Sequence, residues 1–170
     1  MPHVPIRSAR PRLRERRSAP ASDRPTKRVP RPILRFPAVI FRLGLDAFVP
    51  HLVLLETRGR HTGKRRTVVL NVALHEGEDL VVLSVDGFRA SWVQNLLAEP
   101  RVLARHRGRT IDARATVDES IDPGELAVAL YRDRPRFVRL AYRLVGHRIA
   151  GEWDVRRLAA DRVAVRISPV

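Results

Sequence analysis

The sequence predicts a mainly β protein with flanking helices, an α+β fold centred on a small antiparallel barrel of six to seven strands. Short runs rich in Val and Leu recur along the chain, the turns between them are brief and glycine-bearing, and few helical patterns intervene. A parallel, doubly wound sheet would need crossovers of about a dozen residues or more, and the early strands have none.

Residues 1–32 stand apart from this pattern. Seven prolines, from Pro2 to Pro32, break any continuous helix there, and no apolar periodicity runs through them. They read as a disordered basic arm, leaving residues 33–170 as the folded domain. From Phe36 to Val49 the chain turns apolar, and helical spacing sets Phe41, Leu45 and Phe48 on one face before Pro50 ends the run. That helix either packs on the domain or, with Arg35, Arg42 and the arm, touches a membrane surface through residues 1–49.

Strands follow over His51–Thr57, Arg66–Leu74 and Leu80–Ser84, the last two joined by a hairpin turn at residues 75–79. Ser91 is expected to cap a short helix that runs to Ala98 and stops before Pro100. Val102–His106 and Thr110–Val117 form a second hairpin around Arg107-Gly108-Arg109. Ile111, Ala113, Ala115 and Val117 alternate there against Asp112, Arg114 and Thr116. Asp122-Pro123 opens a helix to about Tyr131, Phe137–Val145 continues in helical pattern, and Arg162–Ile167 alternates as a final strand.

Composition narrows the function. At 170 residues the chain has room for one sizeable core, and a hydrophobic content of 44% is that of a globular protein. There is no cysteine, so disulfides, thiolate metal sites and a cysteine nucleophile are excluded, and a cytoplasmic location is expected. The histidines are scattered, and no metal site is expected. No apolar run approaches the roughly 18–20 residues that cross a bilayer. Of the net charge of +15, residues 1–32 carry +8 and the remainder +7, so the domain itself attracts anions.

The loop Gly59-Arg60-His61-Thr62-Gly63-Lys64 lies between two strands and is suited to holding an anion. Glycines let the backbone turn N–H groups toward a ligand, while Arg60, Lys64, Arg65 and Arg66 add positive charge. It is not a nucleotide P-loop: the glycine spacing is one residue short, Arg65 stands where a magnesium-binding hydroxyl belongs, and no long helix follows. The alternative is an exposed basic hairpin with no ligand.

Thr57, Gly59, Arg60, Thr62, Gly63 and Arg66, then Ser84, Gly87, Trp92, Asn95, Leu96, Ala98 and Pro100, follow one another in an ordered set. In that order and spacing the stretch from Leu54 to Val117 resembles the deazaflavin-dependent nitroreductase family, split β-barrel proteins that use coenzyme F-420. The resemblance implies that the loop holds the coenzyme's phosphate and acidic tail, with Arg60, His61, Thr62, Gly63, Lys64 and Arg66 as contacts and Val68, Trp92 and Asn95 nearby. His61 falls where relatives usually carry lysine, and Val69 where many carry proline. Ser84 matches a serine near the ring and substrate, or else is an ordinary strand-end hydroxyl. Trp92 either packs beside the ring or anchors its helix, and Asn95 either meets the coenzyme or braces the loop.

The implied reaction is hydride transfer from the reduced deazaflavin to a quinone, an enone or a nitro compound, with Ser84, Tyr142 or water as the proton source. FMN on the same kind of barrel is the nearest alternative cofactor. A non-enzymatic basic module for nucleic acid or a membrane surface is the alternative class. An aromatic content of 5%, with none in the arm, argues against specific nucleic-acid binding. The sequence sets no oligomeric state.

Overall fold

The computed structural model describes Phe41 and residues 49–144 and 146–170. The basic arm and nearly all of the expected helix over residues 36–49 lie outside the described residues; Phe41 is helical and buried.

Six strands form the barrel: β1 (Leu52–Arg58), β2 (Arg65–Glu76), β3 (Asp79–Ser84), β4 (Arg101–His106), β5 (Arg109–Val117) and β6 (Val163–Pro169). Their order around the closed barrel is β1-β2-β3-β6-β5-β4, and every neighbouring pair is antiparallel. Side-chain alternation explains the closure. On β1, Val53, Leu55 and Thr57 are buried, while Leu54 and Glu56 between them are only partly covered. Val53 pairs with Leu70 and Leu55 with Val68, so the inward residues of β2 meet those of β1 across the ladder.

Strand β2 is long because it serves two neighbours. Its first half, Arg65–Asn71, pairs with β1, and the stretch from Val72 to Glu76 pairs with β3. A register shift between Val72 and Leu74 marks the bend that turns the sheet from one partner to the other. The interior is filled by Val53, Leu55, Val72, Val82, Val165 and Ile167 among others, with Leu96 from a helix closing one end. Truncating Leu55, fully buried, to Ala is expected to cost about 2–5 kcal/mol.

Among the described residues four α-helices flank the barrel besides the helical Phe41: α1 (Ser91–Ala98), α2 (Pro123–Asp133), α3 (Pro135–Leu144) and α4 (Glu152–Ala159). Ser91 is the first helical residue of α1 and not its cap; Ala90 holds the cap position and no side chain closes it. Helix α2 starts as its sequence dictates, with the Asp122 carboxylate accepting from the Glu125 N–H at 2.7 Å and Pro123 in the first turn. Val81 and Ala164, on the outer face of β3 and β6, meet Leu126 of α2. A second apolar cluster joins α2, α3 and α4 through Val128, Tyr131, Val138, Tyr142 and Val155. The cleft forms beside the first half of β2, between the β1–β2 loop and the start of α1.

Candidate active site

The cleft, of about 810 Å³, is bounded by the β1–β2 loop, the first half of β2 from Arg66 to Asn71, the end of β3 and the start of α1. Its volume falls within the roughly 300–1,000 Å³ of ligand sites. Arg60, His61, Thr62, Arg66, Val68, Ser84, Trp92 and Asn95 all line it. Of the expected site residues, the structure leaves Gly63, Lys64 and Tyr142 outside that lining.

The loop owes its shape to a small set of hydrogen bonds. The Gly59 N–H donates to the Lys64 carbonyl at 2.9 Å, and the Gly63 N–H donates back to the Gly59 carbonyl at 2.7 Å. Gly63 has φ +63°, which glycine adopts without strain. A Cβ on Gly59 would lie 3.0 Å from the Thr62 hydroxyl and 3.3 Å from the Lys64 carbonyl, a tight fit that would make the loop give by a few tenths of an ångström. Gly63 thus sets the turn, and Lys64 closes it through its backbone.

Asn95 ties this loop to the barrel and is itself 5% exposed. Its Oδ1 accepts from the Arg60 N–H at 3.2 Å and from the Arg60 guanidinium at 3.5 Å. Its Nδ2 donates to the Thr57 hydroxyl at 3.2 Å, and that hydroxyl donates to the Arg66 carbonyl at 3.3 Å. One amide therefore holds both arms of the loop, with the two flanking arginines placed on the cleft side. Thr57 is 2% exposed, so the network is protected from water where it turns into the barrel.

Electrostatics favour an anion here. Among the described residues no carboxylate pairs with Arg60, His61, Lys64 or Arg66. Arg65 is the exception to the expected cluster: it pairs with Glu56 at 3.1 Å and lines a different groove. That groove, about 600 Å³, mixes Glu56, Glu99 and Asp112 with Arg58, Arg65 and Arg101, so its charges largely cancel. The loop cleft sets Arg60 and Arg66 against a single lining carboxylate, Asp86.

At the other end of the cleft, the Ser84 hydroxyl is 1% exposed and donates to the Gly87 carbonyl at 3.0 Å. Gly87 has φ +55°, and a Cβ there would lie 2.5 Å from the Asp161 carbonyl, so only glycine allows this turn to tuck under the segment before β6. Trp92 packs partly against the barrel core and also lines the cleft. Asn71, on β2, also lines the cleft and was not singled out by sequence; its Oδ1 accepts from Arg134 at 3.3 Å. Its position midway along an apolar strand, Val68–Leu74, is the signal that marks it, because a lone amide there needs a reason.

Tyr142 lies elsewhere. It is buried in the helical cluster, with the Arg162 guanidinium 4.8 Å above its ring. Burial raises the Tyr142 hydroxyl above the ordinary phenol value, against the opposing pull of Arg162.

Residues 43–143, which hold the loop, the cleft and most of the barrel, match the F-420H(2)-dependent quinone reductase family. The chain belongs to that family. It is an F-420-dependent oxidoreductase of the split β-barrel type, and its cofactor is coenzyme F-420. No curated protein matches the sequence. Among solved structures it is similar to an F-420-H2 dependent reductase, with 18% identity, TM-score 0.45 and coverage of 69% of this chain and 94% of that one. A pyridoxamine 5'-phosphate oxidase-related, FMN binding protein of Nostoc punctiforme gives 12% identity, TM-score 0.47 and coverage of 80% and 81%. A conserved hypothetical protein of Mycobacterium tuberculosis gives 15% identity, TM-score 0.49 and coverage of 76% and 79%.

Proposed function

We propose that this quinone reductase family member holds coenzyme F-420 by its phosphate and acidic tail at the β1–β2 loop and reduces a quinone. Arg60, His61, Thr62 and Arg66 would grip the anionic groups, and Val68, Ser84 and Trp92 would border the ring. The observation that carries this is the Asn95 network. It holds the Arg60 N–H and guanidinium and the Arg66 backbone, which sets two arginines that no described carboxylate pairs with on the rim of one cleft before any ligand arrives.

When bound, the reduced deazaflavin supplies two electrons and one proton to the acceptor. The chain's own groups then position, shield and leave room for a second proton. Ser84 keeps the turn at Gly87 closed with the hydrogen it would otherwise donate, and Tyr142 is outside the cleft. Water is therefore the proposed source of the proton that completes the hydroquinone. Enones and nitro compounds share the electron-poor character of a quinone and are proposed as slower acceptors.

Titration of the protein with coenzyme F-420 and, separately, FMN, followed by Trp fluorescence, tests the site. Micromolar or tighter binding of F-420 with much weaker binding of FMN is expected. Tight binding of FMN alone would overturn the proposal. Steady-state assay of quinone, enone and nitro acceptors with reduced coenzyme then ranks the substrates.

A further inference from the structure

Helix α3 is only shallowly seated on the protein. Val138 and Tyr142 are its two buried residues, whereas Phe137, Leu140 and Leu144 are 39%, 56% and 45% exposed. Their spacing of three and then four residues aligns them in one stripe along the helix. Large apolar side chains in such a row mark a contact surface more than isolated exposed ones do.

Apart from Asp133 just before the helix, which pairs with Arg134, the charge around the stripe is positive. Residues 134–151 contain Arg134, Arg136, Arg139, Arg143 and Arg148 and no Asp or Glu. Arg136, Arg143 and Arg148 are exposed, and Arg139 is held in place by donating to the Tyr131 hydroxyl at 2.8 Å. Arginines beside an apolar crest can lay their stems along it and keep their guanidinium groups at a polar boundary. The neighbouring α4, by contrast, carries Glu152 and Asp154 in its first turn.

From this we propose that α3 is a docking surface for an anionic lipid bilayer, lying in the interface with Phe137, Leu140 and Leu144 in the acyl boundary and the arginines against the headgroups. A nucleic acid would leave the exposed apolar crest unused. A bilayer satisfies both components at once. The helix also begins beside the cleft, since Arg134, the residue before it, donates to Asn71 of the cleft wall. Docking by α3 therefore brings the acceptor side of the cleft close to the membrane. The docking argument stands on α3 alone and does not depend on which cofactor the cleft holds.

The chain has no cysteine, so a single reporter can be placed cleanly. Full-length Leu140→Cys, labelled with an environment-sensitive fluorophore, would be mixed with vesicles of phosphatidylcholine and with vesicles that also contain phosphatidylglycerol. Thr110→Cys, an exposed position on β5, serves as the control. A blue shift at position 140 with the phosphatidylglycerol vesicles, and no shift at position 110, is the expected result. In co-sedimentation, the double variant Leu140→Asp with Leu144→Asp is expected to lower vesicle partitioning by about tenfold or more. Both sites being solvent-exposed, its melting temperature should stay near that of the parent. Vesicle binding without a shift at position 140 would assign the contact to the basic arm and overturn the proposal. A shift without vesicles that grows with protein concentration would overturn it as well, in favour of a second copy of this chain.

Discussion

Two basic hairpins on this barrel have nearly the same local chemistry and entirely different settings. The β1–β2 connection carries Arg58, Arg60, Lys64 and Arg65 around two glycines, and the β4–β5 connection carries Arg105, Arg107 and Arg109 around one. The second is a two-residue turn, His106 paired with Arg109, with φ of +50° at Arg107 and +75° at Gly108. Both central residues are left-handed, as a tight hairpin turn of this twist requires. The first is longer, closes on itself through Gly59 and Lys64, and is bolted to α1 by Asn95. Charge in a turn is thus common, and what distinguishes a site is a buried amide behind it and a cleft in front.

The sharpest way to break this contrast is to remove one cation from each hairpin. Arg66→Ala is expected to weaken coenzyme F-420 binding by about 10- to 100-fold, the value of a charge-assisted hydrogen bond, with little change in melting temperature. Arg107→Ala should leave affinity unchanged. Equal losses in the two variants, measured by fluorescence titration, would mean that the whole surface and not the loop attracts the coenzyme.

Removing the brace comes next. Asn95→Ala removes the donor to the buried Thr57 hydroxyl and the acceptor of the Arg60 N–H, at a cost of about 1–3 kcal/mol in stability. Affinity should fall too, because the loop would no longer be fixed before binding. A variant that melts earlier yet binds equally well would show that the brace serves the barrel alone.

A third hairpin sharpens the comparison from the acidic side. Glu76 and Asp79, which flank the β2–β3 turn, are both taken by Arg166, which also donates to Asp118 at 2.8 Å. Hydrogen bonds from Ser120 and then from Arg166 hold the Asp118 carboxyl below its ordinary range. A carboxylate lowered on folding adds stability above its unfolded value and loses it as the pH falls through the lowered folded value. Acid melting curves should therefore show a component in and below the usual carboxylate range that disappears in Asp118→Asn. The smallest effect belongs to the turn itself: Arg107→Asn, better suited to positive φ, should stabilise by about 0.5 kcal/mol without touching affinity.

Much of this was readable from local pattern. The alternation in β5, the two hairpins and the Asp122-Pro123 helix start all sit where residue chemistry alone places them, since each depends on neighbours a few residues away. Helix α4 was missed: Gly151 offers no capping side chain, and Glu152-Trp153-Asp154 gives no apolar repeat to announce it. The order β3-β6-β5 was equally hidden, because pairing across tens of intervening residues leaves no mark in a window of ten. The same reason explains the site. Arg60 and Thr57 were legible as loop residues, but their common partner is 35 and 38 residues further along. Asn71 went unnoticed because its partner Arg134 is 63 residues away.

The placement of β6 carries a temporal consequence. Among the described strands it comes last in sequence, and it inserts between β3 and β5, two strands that would otherwise present bare edges. During synthesis the five earlier strands can only assemble as an open sheet with two adhesive borders. The arginine loop and α1 are made early, yet the wall on which Ser84 stands stays unsupported until Val163 pairs with it. Competence to receive a coenzyme therefore arrives only once β6 has paired on both sides and locked the ring.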